Sequence, residues 1–415
     1  MHLVPNRRAA MTGHRVAVAA TGSANRFREL TAVPDGDGYV IGSPRSPDYL
    51  AVPQIGGQVV QWLRAGHDLD RCAELAETAA GRPVDVVRFV AALADGGLLP
   101  DAAEPTENAG PAPVRGRWIG RLLFGPAGLL VQLALGLIAV VLLVSTPELR
   151  PTFEDGFIVD APLPAMLLLA AIGTATGLLH EVAHVVAAAR FGVRSRLSIS
   201  RRLFVIVYQT DLTGLWALPR RQRAVPIGAG MTSDAAILGL LLITELLLPA
   251  DPHPLVPAVI RALVLLKVTA LLFQFEAFMR TDGYALFALA TRSRNLWAVK
   301  GAVARAVVNR ATADDRRMLA VTNPREVKWA KLYLLLYLPG VVWATWYLVA
   351  FGIPSIKRIA ELSAGAINAD GLFSLTGWTG AAALALCFGP LGWTLWGVAR
   401  NGGRTARRLL RPNAA

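Results

Sequence analysis

Two cysteines in 415 residues are too few for a disulfide framework, and Cys72 and Cys387 lie far apart in sequence. That sets aside the small secreted scaffolds that staple a thin core. Charge is also scarce, at 17% of residues, which is low for a soluble chain of this length. Five lysines stand against thirty-seven arginines, the residue usage expected of a GC-rich bacterial coding sequence. Met1 to Glu29 contains no apolar stretch of the kind a secretory signal carries, so none is expected. No internal repeat is visible, which sets aside solenoids and propellers.

Apolar sequence is abundant. Hydrophobic residues make up 54% of the chain and mean hydropathy is +0.44. Residues 1–115 are polar and mixed, whereas the remainder holds several apolar runs of about 20 residues, the length that crosses a bilayer as a helix. Spans are expected near 124–144, 163–189, 227–249, 257–279, 329–351 and 373–398. The net charge of +13 fits either a nucleic-acid binder or the positive-inside bias of a membrane protein, and its placement decides between them. Segment 190–226 carries eight arginines against one acid, Asp211; segment 280–328 and the tail from Arg400 are also basic. The alternate loops are poor in basic residues: 145–162 has Arg150, 250–256 has none, and 352–372 has Lys357 and Arg358. This alternation predicts an α-helical polytopic membrane protein of about six transmembrane helices, set in a bacterial cell membrane with both termini cytoplasmic. The partners implied are the lipid bilayer and no nucleic acid.

Residues 1–25 are expected to be disordered, and 26–99 to form a small α/β domain. Tyr39–Gly42 and Tyr49–Val52 read as short strands. Ile55, Val59, Trp62 and Leu63 form a helical stripe that ends at Gly66; Leu69, Cys72, Leu75 and Ala76 form a second; Val86, Val87, Phe89, Val90 and Leu93 form a third that stops at Gly96-Gly97. Two strands with three helices predict a winged-helix-like fold. Between Arg26 and Leu99 there are seven arginines and ten acids, a net of −3, which is a poor charge for gripping phosphates. Gly38-Tyr39-Val40-Ile41, then Gly57 with Val60 and Leu63, and the closing Leu93-Ala94-Asp95-Gly96-Gly97-Leu98-Leu99 resemble the PqqD-like family of small peptide-binding domains. The resemblance implies capture of a precursor-peptide leader by strand addition. The residues alone also suit a helical domain with no ligand. Residues 100–116, rich in Pro and Gly, read as a linker.

The span near 163–189 holds His180-Glu181-Val182-Ala183-His184. Charged or imidazole groups inside an apolar run mark a functional site by default. On a helix, positions i and i+4 share a face, so both imidazoles can bind one Zn²⁺ while Glu181 acts as general base. The competing reading is a polar helix seam in which the two histidines bond to neighbouring helices. Gly173 and Gly177, with Thr174, Ala175 and Thr176 between them, suit close helix packing. Two histidines and a water leave tetrahedral zinc one ligand short. Glu245, Glu276 and Asp282 lie within or at the ends of later spans. By depth, Glu245 belongs to the opposite face, whereas Glu276 and Asp282 lie near the cytoplasmic end with the motif. Asp282 is favoured because Gly283 beside it lets the backbone break or approach closely; the alternative is an ordinary Asp-Gly turn. Glu276 is the reserve ligand, or an i,i+4 partner of Arg280.

His180, Glu181 and His184 in one span, with Asp282-Gly283 at the end of a later one, resemble the site-2 protease family of membrane-embedded zinc metallopeptidases. The resemblance covers roughly residues 120–290. It implies that His180, His184 and Asp282 bind zinc and that Glu181 activates water. The chain departs from the family in having Arg280-Thr281 where Asn-Pro often precedes Asp-Gly, in having Gly230-Met231 and Asp234 where a Gly-Pro and Asn element is frequent, and in lacking any segment like a PDZ or CBS module. The domains then run 117–290 for the metallopeptidase core, 291–328 for a basic cytoplasmic segment and 329–415 for two further transmembrane helices with a basic tail. Leu203 to Tyr208 reads as a strand, either an edge that presents substrate in extended form or a plain interfacial hairpin. His253 and His67 read as solvated loop residues, Trp343, Trp346 and Tyr347 as an interface or packing stripe, and Arg305 to Arg317 as a face against anionic lipid.

The expected function is cleavage of a peptide or membrane-anchored substrate near the cytoplasmic face. Leader removal from a ribosomally made, modified peptide fits, as does cleavage of a membrane-anchored regulator. The alternative is a non-catalytic peptide-binding or export accessory with a relict zinc site. Retention of Glu181, which zinc binding alone does not require, argues against that alternative.

Overall fold

The computed structural model describes residues 25–36, 38–43, 49–99, 114, 116–202, 205–249, 251–276, 279–293, 295–389 and 396. The expected disorder at residues 1–24, most of the linker at 100–116, Leu203-Phe204 of the expected strand and the basic tail from Arg400 lie outside them. The described residues are mostly helical, with a small sheet near the N-terminus.

The chain divides into two compact units. The first comprises Met1–Gly125, His184–Leu197 and Thr210–Ile227. A short helix, α1 (Asn25–Arg28), leads into β1 (Thr31–Asp35), β2 (Gly38–Gly42) and β3 (Tyr49–Pro53), an antiparallel sheet in the order β1-β2-β3 with Val33 opposite Val40 and Ile41 opposite Leu50. Then come α2 (Gln54–Arg64), α3 (Leu69–Ala80) and α4 (Val86–Asp95). Asp68 and Asp85 cap α3 and α4 by accepting the backbone N–H of Arg71 and Arg88, and Gly81 closes α3 in the left-handed conformation. The stripes read from the sequence face one core of Phe27, Leu30, Ile41, Val59, Val60, Leu63, Cys72, Val90 and Leu93. Burial pushes the Cys72 thiol up to about 11, so it packs as an inert small hydrophobe. The sheet has three strands where two were expected. Pro34 disguises β1, but β1 is an edge strand, the one place in a sheet where proline is tolerated.

The same unit contains the turn Thr213–Ala217, which packs on β1 and β2. Arg223 follows it, 2% exposed. Its guanidinium reaches Asp35 Oδ1 at 3.3 Å, donates to the carbonyls of Leu218 and Trp216, and lies over the Trp216 ring at 4.7 Å. A short helix, α5 (Arg117–Phe124), exposes Trp118, Leu122 and Leu123 while burying Gly120 and Phe124, whose carbonyl accepts from Arg190.

The second unit comprises Pro126–Ala183, Ser198–Gln209 and Gly228–Ala415. Five helices are long and apolar enough to cross a membrane: α6 (Pro126–Ser145), α7 (Pro162–Arg190), α8 (Arg220–Leu246), α9 (Leu255–Phe273) and a composite run, Pro324–Asp370. Helix α6 is apolar on all sides and buries only Ala139, leaving Leu130, Val131, Leu133, Leu137 and Val144 exposed; such a surface suits lipid rather than water. Between α7 and α8 the chain forms a two-stranded hairpin, β4 (Arg196–Arg202) with β5 (Val205–Asp211), which includes the strand expected at Val205–Tyr208. Helix α8 starts seven residues before the expected span, running through Pro226; a proline near a helix start gives up few hydrogen bonds. After α9 come α10 (Asp282–Thr291), α11 (Leu296–Val307) and α12 (Ala313–Val321), the last two within the expected basic segment. Buried Asp315 anchors α12 by pairing with Arg305, and its carboxyl is held far below the usual carboxylate range by that guanidinium first and by the Thr312 N–H second.

The composite run consists of α13 (Pro324–Leu335), α14 (Tyr337–Tyr347), a π turn at Leu348–Gly352 and α15 (Ile353–Asp370). The expected loop at 352–372 is therefore helical to Asp370. Pro354 lies just past the π turn in a run whose backbone stays helical through Gly352 and Ile353, and the wider turn accommodates the N–H that it lacks. Trp343, Trp346, Tyr347 and Phe351 stack along this run, with Tyr347 and Phe351 nearly parallel at 5.1 Å. Of the span expected at 373–398, the described part is a shorter apolar helix, α16 (Leu375–Gly389).

Breaking the buried Asp35–Arg223 pair from one side strands a guanidinium that keeps only carbonyl and ring contacts. Asp35→Ala should therefore lower the stability of the full-length protein by about 3 kcal/mol, read as a lower denaturation midpoint in detergent.

Candidate metal centre

Helix α7 carries the motif on one turn near its C-terminal end. Ligand-capable atoms of His180, Glu181 and His184 lie within 4.8 Å of one another, and no other such group of three occurs among the described residues. His184 is 2% exposed, while His180 and Glu181 are half-buried.

Each imidazole is held by its Nδ1. That of His184 lies 2.7 Å from the Pro226 carbonyl oxygen in the first turns of α8. A carbonyl only accepts, so Nδ1 carries the proton and Nε2 a lone pair. His180 Nδ1 lies 2.7 Å from Asp234 Oδ2, on the next turns of α8, which gives His180 the same tautomer. Metal-binding histidines are oriented in this manner, with the nitrogen away from the metal donating to a carbonyl or carboxylate.

Asp282 Oδ2 lies 3.0 Å from His180 Nε2. With Nδ1–H committed to Asp234, the Nε2 lone pair faces a carboxylate oxygen. Two acceptors at that distance repel unless a cation lies between them, either a second ring proton that makes His180 an imidazolium or a metal ion; two ligands of one tetrahedral zinc sit about 3.3 Å apart given bonds of about 2.0–2.1 Å. His180, Glu181 and His184 could together hold a metal ion, with Asp282 beside His180 Nε2. Asp282 is the first residue of α10, with Thr281 as its N-cap accepting from Tyr284 N–H. The Asp-Gly pair thus opens a helix rather than forming a free turn. Asp282 N–H donates to Gln274 Oε1 at 3.0 Å, and Thr281 Oγ1 donates to the Gln274 carbonyl at 2.7 Å. A Cβ at Gly283 would collide with that same carbonyl, which accounts for glycine there.

The other candidate acids are placed elsewhere. Glu245 binds Arg261 at 3.1 Å, in a cluster where Arg261 also holds Asp155 and the carbonyls of Glu148 and Arg150. Glu276 stands outside the three-residue group, as Asp282 also does, and burial raises its carboxyl above the usual range; Asp282 differs in its 3.0 Å contact with His180 Nε2. His253 and His67 are exposed.

Asp234 is the residue the sequence reading noted only as a departure from a family pattern and did not weigh as part of the site. It is 1% exposed, as is Lys267 of α9, and its Oδ1 pairs with Lys267 Nζ. Lys267 also donates to the Thr176 carbonyl at 3.4 Å. The signal was present: an acid and a lysine each stand inside an apolar run, the same criterion that singled out His180. The close packing expected at Gly173 and Gly177 is a second correction. Gly173 meets only a Leu266 methyl at ordinary contact distance, and Gly177 faces open space. The close approach occurs at Gly230 instead, where an added Cβ would fall inside the His180 ring.

Gly230→Val should displace the His180 ring and reduce bound zinc in the purified protein to under about a tenth of wild type, in line with second-shell losses, while leaving the helical circular-dichroism signal unchanged. Compared with family models, with curated proteins and with solved structures, the chain finds no match.

Proposed function

We propose that the chain is a membrane-embedded zinc metalloendopeptidase of the site-2 protease kind, with an N-terminal PqqD-like, winged-helix-type domain that captures peptide. The observation that carries the reading is His180, held at Nδ1 by Asp234 and facing the Asp282 carboxylate with Nε2. His180, His184 and Asp282 are the proposed ligands. Five helices long and apolar enough to cross a membrane support the setting, with α16 as the proposed sixth span.

Bound zinc would supply Lewis-acid polarisation of the scissile carbonyl and lower the pKa of a water to about 7. Glu181 then takes the proton of the attacking water and delivers it to the leaving nitrogen. His184 and His180 keep their Nδ1 protons throughout, because the Pro226 carbonyl and Asp234 hold them there. The substrate must be extended, since a helix hides its carbonyls in its own hydrogen bonds. The β4–β5 hairpin follows the motif helix directly, and an edge strand there can align a peptide backbone by strand addition. Basic segments alternate with loops poor in basic residues, so the motif end of α7 is proposed to face the cytoplasm, where a captured peptide leader or the end of a membrane-anchored protein would be presented.

Two variants test this. Glu181→Gln should cut turnover by about 10²–10⁴-fold while retaining zinc, and uncut peptide should accumulate or co-purify with it. Asp282→Ala should reduce zinc per chain, measured by metal analysis of the purified protein. Product formation unaffected by Glu181→Gln sinks the peptidase reading and favours a non-catalytic accessory; zinc content unchanged by Asp282→Ala sinks the third ligand.

A further inference from the structure

Asp234 and Lys267 are each 1% exposed, inside two helices apolar enough to cross a membrane. An ionised group in such a place needs a partner, and these two supply one for each other. Pairing alone does not explain their presence, because two well-packed apolar side chains would fill the same volume at no desolvation cost. An apolar pair cannot accept a hydrogen bond from His180 Nδ1–H.

The two oxygens of Asp234 are divided between two tasks. Oδ1 takes the Lys267 ammonium, and Oδ2 takes the His180 Nδ1–H at 2.7 Å. A carboxylate held at both oxygens cannot swing. Lys267 is itself tied back to α7 through the carbonyl of Thr176, one turn before His180. Asp234 and Asp282 approach different nitrogens of the same ring, so Asp234 cannot share a metal bound at Nε2. Charge points the same way. A divalent cation is balanced by the carboxylates of Glu181 and Asp282, and Asp234 as a third carboxylate would leave the group negative in an apolar setting. One buried ammonium restores neutrality.

We propose that Asp234 and Lys267 are positioning residues of the metal centre: Asp234 fixes the His180 imidazole with Nε2 aimed at the metal, and Lys267 holds Asp234 in place. This rests on the zinc reading of the site and deepens it. The pair belongs to the metal rather than to the fold.

The experiment compares four full-length proteins in detergent: wild type, Asp234→Asn, Lys267→Met, and the double variant Asp234→Leu with Lys267→Met. Two quantities are measured, zinc affinity by competition with a chromophoric chelator and the melting temperature of the metal-free protein. Asp234→Asn should weaken zinc binding about 10–100-fold. Lys267→Met should melt lower, because it strands a buried carboxylate. The double variant should recover the melting temperature yet keep the weakened zinc affinity, a split that a purely structural ion pair would not produce. A double variant that regains both, or an Asp234→Asn protein that binds zinc within threefold of wild type, overturns the proposal while leaving the zinc reading intact. Wild-type protein that takes up no zinc overturns both. Should the double variant not fold, the affinity of Asp234→Asn decides alone.

Discussion

An imidazole with both nitrogens facing carboxylates, inside apolar helices, calls for positive charge, carried by a second ring proton or by a cation beside it. Much of the second unit is arranged around that requirement at His180. Helix α8 brings Asp234 to one side of the ring and α10 brings Asp282 to the other, while α9 contributes Lys267 from behind. Each of these groups would be costly alone in such surroundings and is tolerable only in company. The polar residues therefore form one interdependent set, and the helices that carry them are pinned in rotation by it.

Small residues let that set close. Gly230 gives up its side chain so that the His180 ring can lie on α8, and Gly283 gives up its own so that α10 can start against the Gln274 carbonyl. Away from the polar set the contacts are those of an ordinary helix assembly: Ala139, Leu238, Leu242, Ile260 and Val264 form one cluster, and Leu296, Val299, Val303 and Tyr333 another. Precision at the ring is thus obtained from backbone approach, whereas the remaining helices are held by apolar packing that tolerates exchange of one hydrophobe for another.

The amphipathic helices of the first unit were plain in the sequence because their buried residues recur every three to four positions. Four of the long apolar helices were legible to within several residues for a related reason, since composition alone marks them. Three prolines lie in stretches whose structure was not read from the sequence: Pro34 in β1, Pro226 in the first turns of α8 and Pro354 in α15. Pro34 sits on an edge strand, Pro226 in the second turn of α8 and Pro354 just past a π turn, positions that residue type alone does not reveal. His180 and His184 stood out as candidates by spacing and apolar context, and Asp282 by its depth and the glycine beside it. Asp234 and Lys267 were not weighed, because a lone acid and a lone lysine on different helices have no spacing to betray them. Their meaning lies in a meeting some thirty residues apart in sequence. Gly173 and Gly177 show the converse: a sequence pattern suited to close packing that the fold leaves without a close partner.

Helix α8 begins with two attachments three residues apart. Arg223 is gripped by Asp35 of the sheet, and the Pro226 carbonyl holds His184. A helical turn is a stiff element, and three residues advance it by only about 4.5 Å. The sheet at Asp35 and the His184 ring are therefore both fastened within one turn of the same helix.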